Sequence, residues 1–254
     1  MRPAFSVAGD GPALFLIHGI GASRATFDGM VAGLQDQFTC ISYDLRGHGQ
    51  SPLPKGRFDL DDLVDDLEEL RARLGIAKAH FAGHSLGGMI GPRYARRYPG
   101  RVLSLGLWST AAFRTDDDSA KVRGVVTAMR DKGIGPVLDT LTARWFTDAF
   151  CAARPDVIAW RKKQVMDTDP DVFLNVFDIY AETEMAPWLH EVTVPAQVLT
   201  GALDGGCNPR LNALIHQALP GSELVILDGL KHAIFIEATE RVLPEVRRFL
   251  LARA

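Results

Sequence analysis

The chain has 254 residues, 47% of them hydrophobic and 23% charged, the balance of an ordinary globular protein. Lys plus Arg number 28 and Asp plus Glu 31, a net charge of -3, so the basic excess of a nucleic-acid binder is missing. No apolar run reaches the ~18 residues of a membrane span, no basic-then-apolar leader opens the chain, and Cys40, Cys151 and Cys207 are too scattered for a disulfide framework or a clustered zinc site.

The expectation is a soluble, cytoplasmic chain, read as a single domain over 1–254. Short apolar runs alternate with amphipathic stretches along it. A brief run over 4–7 is followed by a glycine-rich loop and then by Ala13–Ile17, a continuous apolar strand. A helix is predicted over 24–38 and a strand over 38–43. Residues 60–74 give the clearest helix: Leu60, Leu63, Val64, Leu67, Leu70 and Leu74 step by three or four, Asp59 can cap the start, and Arg71 and Arg73 sit near the end. A strand over 79–83, a helix over 86–98 that contains Pro92, and a strand at Val102–Trp108 follow. The rhythm returns with a strand over 196–200, a helix over 209–219, a strand at Glu223–Leu227 and a helix over 238–252. Most of the strands are apolar throughout rather than alternating, as in strands buried on both faces of a parallel sheet. Strand–helix alternation predicts an α/β fold with helices on both faces.

Between 111 and 192 no convincing strand appears. Helical patterns over 121–132 and 135–145, with Trp145, Trp160 and Trp188, predict a helical insertion that lies over the sheet as a cap.

The strongest chemical signal is Gly83-His84-Ser85-Leu86-Gly87, a G-x-S-x-G sequence placed between a strand and a helix. In that context the serine sits on a sharp turn at the carboxyl end of a strand, and glycines are needed because neighbouring chains pack closely. A serine hydroxyl needs a base to take its proton. Of the seven histidines, His232 lies just past the last strand, at the same edge of the sheet. His18 and His48 belong to glycine-rich turns, His84 is expected to point away from the serine, and His80, His190 and His216 fall in strand or helix patterns. Asp204, just past the strand over 196–200, is the expected acid partner of His232, with Asp228 as its rival. The tetrahedral intermediate needs two N–H donors. Leu86, which follows the nucleophile, offers one, and Ile20 in His18-Gly19-Ile20-Gly21 offers the other.

Together these segments resemble the α/β-hydrolase superfamily over nearly the whole chain. The turn Asp44-Leu45-Arg46-Gly47-His48-Gly49-Gln50-Ser51 is similar to a structural signature of that superfamily, and Glu237 lies behind His232 as in its members. The resemblance implies an α/β-hydrolase fold, a mostly parallel sheet with helices on both faces and a helical cap. It also implies a serine hydrolase that needs no metal or organic cofactor. Within the superfamily, Ser109-Thr110-Ala111-Ala112 and Ala143-Arg144-Trp145-Phe146-Thr147 are similar to segments of the 3-oxoadipate enol-lactonases. That likeness implies that Trp145 lines a substrate pocket and that Arg144 meets a substrate carboxylate. Serine at position 85 argues against haloalkane dehalogenases and epoxide hydrolases, which carry aspartate there. The expected partner is a small ester or lactone, with no nucleic acid and no membrane. A perhydrolase, an acyltransferase sharing the acyl-enzyme, or a ligand receptor on the same scaffold stay open, and nothing in the sequence sets the oligomeric state.

Overall fold

A computed structural model of the chain describes residues 2–253. Met1, the first residue of the segment read as lacking a leader, and Ala254 lie outside the described residues. The strands are β1 (Phe5–Ala8), β2 (Ala13–Ile17), β3 (Thr39–Tyr43), β4 (Ala79–His84), β5 (Val102–Trp108), β6 (Ala196–Gly201) and β7 (Glu223–Leu227). They form one sheet in the order β1-β3-β2-β4-β5-β6-β7. β1 runs antiparallel to β3, and every other pairing is parallel. The short run over 4–7 is thus a real edge strand.

The chain goes from β2 outward to β3, then crosses back over β2 to β4. This reversal puts the topological switch between β2 and β4, and ligands of open α/β sheets bind in the crevice outside the strand ends at such a point. Both strands enter that crevice with their carboxyl ends in register, Ile17 opposite Gly83.

The helices are α1 (Asp28–Leu34), α2 (Leu60–Arg73), α3 (Gly87–Arg97), α4 (Asp116–Lys132), α5 (Ile134–Trp145), α6 (Asp148–Ala153), α7 (Pro155–Asp167), α8 (Pro170–Glu182), α9 (Pro209–Ala218), α10 (Ile234–Glu237) and α11 (Thr239–Leu251). Alternation along β2 shows how the sheet is covered. Phe15 and Ile17 face a core shared with α2, α3 and α8, while Leu14 and Leu16 face a second core with α1, α10 and α11. Burial on both faces explains why β2 reads as an unbroken apolar run. α2 starts on a reciprocal cap: Asp59 accepts from the Asp62 N–H and Asp62 accepts from the Asp59 N–H. Two details depart from expectation or extend it. The helix predicted over 24–38 is shorter, a 3-10 turn at Arg24–Phe27 followed by α1, which stops at Leu34; the Arg24 N–H donates to Asp44 Oδ1 (2.7 Å) where the chain enters. α3 is assigned as one helix through the buried Pro92.

Helices α4 to α8 all lie between β5 and β6, inside the stretch over 111–192 where no strand was predicted. Among the described residues no helix is long and apolar enough to cross a membrane.

Candidate active site

Ser85 follows β4 directly with φ 57°, a left-handed conformation that is costly for a residue with a side chain. Its backbone is held from three directions. The Ser85 N–H donates to the Trp108 carbonyl (2.9 Å), and the Ser85 carbonyl accepts from the Gly88 N–H (3.0 Å) and the Thr110 hydroxyl (2.8 Å). The two glycines are steric necessities. A Cβ on Gly83 would lie 2.1 Å from the Gly87 backbone, and one on Gly87 would lie 2.1 Å from the Ile17 carbonyl oxygen. The predicted turn is therefore present, with its strain over-determined by neighbours.

His232 lies in the loop between β7 and α10, and its Nδ1–H donates to Asp204 Oδ2 across 2.6 Å. Asp204 follows β6 and is 3% exposed. Its other oxygen, Oδ1, accepts from the N–H groups of Gly206 (2.9 Å) and Cys207 (2.8 Å). Burial alone would raise the Asp204 pKa, but the His232 ring and the two N–H donors outweigh it and hold the carboxyl below its usual range. For His232, burial opposes the charge, yet the Asp204 carboxylate and its hydrogen bond prevail and push the imidazole upward. Asp228, the rival acid, instead offers its backbone carbonyl to Arg241.

Ser85, Asp204 and His232 all line one cavity of about 410 Å³. Gly19, at the carboxyl end of β2, lies against Ser85: a Cβ there would come 2.9 Å from the serine Cβ. Ile20 also lines this cavity. Among the described residues neither the Ile20 nor the Leu86 backbone N–H has a hydrogen-bond acceptor. In a compact fold such donors are normally paired, so two free ones flanking the serine are a feature to be explained.

The glycine-rich turns explain the other histidines. His18 Nε2 accepts from the Leu45 N–H (2.9 Å) and His18 Nδ1–H donates to the Gly19 carbonyl (2.8 Å). His48 Nε2 accepts from the Gly21 N–H (3.2 Å) and its Nδ1–H donates to the Arg46 carbonyl (3.1 Å). Burial drives both rings well below the ordinary histidine value, His48 to about 4, so they stay neutral and keep these tautomers. Arg46 binds Asp66 and the Asp62 carbonyl, which fixes its loop. His80 donates to or accepts from Ser104 inside the sheet at 2.8 Å. His84 departs from the sequence reading. It lines the same cavity as Ser85 rather than turning from it, lies tilted with its ring centroid 4.6 Å from that of His232, and its Nε2–H donates to the His232 carbonyl across 2.9 Å. Burial first, and then the neighbouring His232, lower its pKa to about 3, so His84 is a neutral brace for the His232 loop.

From the inserted helices, Arg144 and Trp145 both reach the cavity. Arg144 is exposed and Trp145 is half-buried. The Trp145 carbonyl also accepts from the Ala233 N–H (2.8 Å), next to His232. Thr147 binds Glu237 through both its N–H (3.0 Å) and its hydroxyl. The His232 loop is thus stitched to the segment over 143–148.

Sequence reasoning missed two residues here. Arg161, on α7, is 7% exposed and lines the cavity, with its guanidinium 4.7 Å from the Trp145 ring centroid. Nothing local separates it from Lys162 and Lys163 beside it. Cys207 is buried, takes part in a 3.2 Å hydrogen bond with the Tyr180 hydroxyl, and its thiol, an Asp204 oxygen and a His232 ring nitrogen lie within 4.8 Å of one another. Those three are the donors a soft cation would meet. The scatter of the cysteines along the chain gave no hint of this grouping.

Residues 12–136 match the family model described as the alpha/beta hydrolase fold. The chain has the α/β-hydrolase fold. It is 29% identical over 195 residues to 3-oxoadipate enol-lactonase 2 of Acinetobacter baylyi, covering 77% of this chain and 72% of that protein. The crystal structure of the enol-lactonase from Burkholderia xenovorans superposes with a TM-score of 0.91 at 27% identity, over 98% of this chain and 96% of the other. A thermophilic esterase from Thermogutta terrifontis superposes with a TM-score of 0.89 at 26% identity, over 98% and 93% of the two chains. In sequence and in fold the chain is thus similar to both lactonases and esterases.

Proposed function

We propose that this α/β hydrolase is a serine-dependent esterase or lactonase that cleaves a small carboxylic ester or lactone through an acyl-enzyme. The observation that carries the reading is the gathering, on one cavity, of a strained serine, an Asp204–His232 pair and two backbone N–H groups without acceptors. A site for binding alone has no need of that combination. The lactonase and esterase names of the relatives support the substrate class.

In this mechanism Ser85 Oγ attacks the substrate carbonyl carbon while its proton passes to His232 Nε2. The carbonyl electron pair moves onto oxygen, and the Ile20 and Leu86 N–H groups hold that oxyanion. Asp204 keeps the Nδ1–H tautomer and stabilises the imidazolium. Collapse of the intermediate breaks the C–O bond, and the leaving alkoxide takes the proton from His232. Water, deprotonated by His232, then attacks the acyl-serine, and the second collapse returns the proton to Ser85 and frees the acid. The chain supplies the nucleophile, so this route uses no metal or organic cofactor.

The inserted helices act as a cap over this chemistry, with Trp145 and Arg144 facing the substrate. Arg144 is solvated and unpaired in the hydrogen bonds and ion pairs of the described residues, which leaves it free to meet a carboxylate at the cavity mouth.

A fluorophosphonate probe should label Ser85, and p-nitrophenyl esters of rising chain length, run beside enol-lactones and saturated lactones, should give turnover on the shorter acyl groups. Labelling at another residue, or full turnover by Ser85→Ala, would overturn the reading.

A further inference from the structure

Arg161 is a buried guanidinium that has no carboxylate partner among the described residues. Removing a charge from water costs several kcal/mol unless something compensates, so its acceptors are informative. They are two adjacent backbone carbonyls: Nη2 donates to the Ile20 oxygen across 2.9 Å, and Nη1 donates to the Gly21 oxygen. The indole of Trp145 covers the guanidinium face. Burial lowers the Arg161 pKa only to about 10, so the group is charged at neutral pH.

The position of these carbonyls matters more than their number. The Ile20–Gly21 peptide is held on both edges, its C=O by Arg161 and its N–H by His48 Nε2. The preceding peptide, Gly19–Ile20, has its C=O held by His18 Nδ1–H, and its N–H has no acceptor among the described residues, at a residue that lines the cavity. With one peptide clamped and the other fixed at its oxygen, the Ile20 N–H has one direction to point. The clamp comes from one face of α7, because Gln164 and Val165, three and four residues on, meet the same loop. Gln164 Nε2 donates to Ser23 Oγ (2.8 Å), and Val165 Cγ2 would lie 3.2 Å from a Cβ on Gly21.

We infer that Arg161 is the positioning residue of the oxyanion hole: a side chain of the inserted helices sets the backbone donor at Ile20 and so couples the seating of these helices to turnover. The inference deepens the proposed function and rests on it. Arg161 acts through the loop and does not touch the reacting atoms.

The test compares wild type, Arg161→Gln and Arg161→Lys with a short p-nitrophenyl ester, a trifluoromethyl ketone that forms a tetrahedral serine adduct, and the product acid. Arg161→Gln should lose kcat by tenfold or more, below the ~10²–10³-fold that accompanies loss of a whole oxyanion donor, with KM within about threefold of wild type. Ketone affinity should fall by the same factor as kcat, while affinity for the product acid holds. Arg161→Lys keeps the charge but replaces the rigid two-pronged fork with one compact ammonium on a flexible stem, so it should show the same pattern at smaller amplitude. If melting curves show that Arg161→Gln is unfolded, the Arg161→Lys ratios decide alone. A rise in KM with kcat intact, equal losses for ketone and acid, or an Arg161→Lys enzyme matching wild type would each overturn the inference. Failure of the underlying reading looks different: wild type itself would then resist fluorophosphonate and the ketone would not bind it.

Discussion

The floor and the roof of the cavity are built in different ways. The floor is the crevice between β2 and β4, where Ser85, Gly19 and Ile20 are set by strand ends, close-packed glycines and backbone hydrogen bonds. The roof comes from α4 to α8, and it is joined to the floor by side chains acting over long sequence separations: Arg161 to Ile20 and Gly21, Gln164 to Ser23, and Thr147 to Glu237. The floor is a local, steric construction. Under the proposed function it carries the chemistry and the roof tunes it at a distance, so substitutions on the two sides should differ in size and kind.

The largest effect belongs to the floor. Ser85→Ala should lower kcat by ~10⁴-fold or more on any ester tested, with a melting temperature equal to wild type because the backbone bonds of the turn do not involve the hydroxyl. A residual rate within tenfold of wild type would remove the serine from the mechanism.

Asp204→Asn comes next, at ~10³–10⁴-fold in kcat. It also tests the sign of the electrostatics. Asp204 favours the protonated imidazole, so the neutral base appears only above the ordinary histidine range, and wild-type kcat/KM should rise with pH through an inflection above ~6.5. Without the carboxylate that inflection should move to lower pH. A shift to higher pH, read from a kcat/KM profile between about pH 5 and 9, would contradict the assignment.

Gly87→Ala sharpens the steric half of the comparison. The added Cβ meets the Ile17 carbonyl oxygen at 2.1 Å, and neither backbone can yield cheaply. Destabilisation of about 3 kcal/mol or more is expected in urea titration. A glycine in the roof such as Gly124, whose Cβ would meet nothing within 4 Å, should accept alanine without loss and gain about 1 kcal/mol from helix propensity.

The smallest effect is at the mouth. Arg144→Gln should raise KM up to about tenfold for substrates that carry a carboxylate and leave neutral p-nitrophenyl esters unchanged. Equal changes for both would make Arg144 a spectator.

The same division governs what could be read from the amino-acid order. The turn at Ser85 was legible because a sharp strand-to-helix bend admits few residues, and Gly83, Ser85 and Gly87 announce it. The meeting of Asp204 with His232 was legible because each follows an apolar strand at the same edge. The helix at Leu60–Arg73 was plain from its period and its Asp59 cap. Arg161 and Cys207 were not, since their roles depend on which residues the fold brings opposite them. His84 was misjudged for a related reason. Strand alternation turns it from the serine's face, but the bend at Ser85 brings both to one cavity. The first predicted helix began where expected, at Arg24, but opened as a 3-10 turn and ended at Leu34.

The stitch between Thr147 and Glu237 and the clamp from Arg161 have a practical consequence for chimaeras. Exchanging helices α4 to α8 between relatives is a natural way to alter which molecules are accepted. Here the donor segment would also have to bring its own arginine to Ile20 and its own hydroxyl to Glu237. A graft lacking them would be slow on every compound, however well its new walls fit.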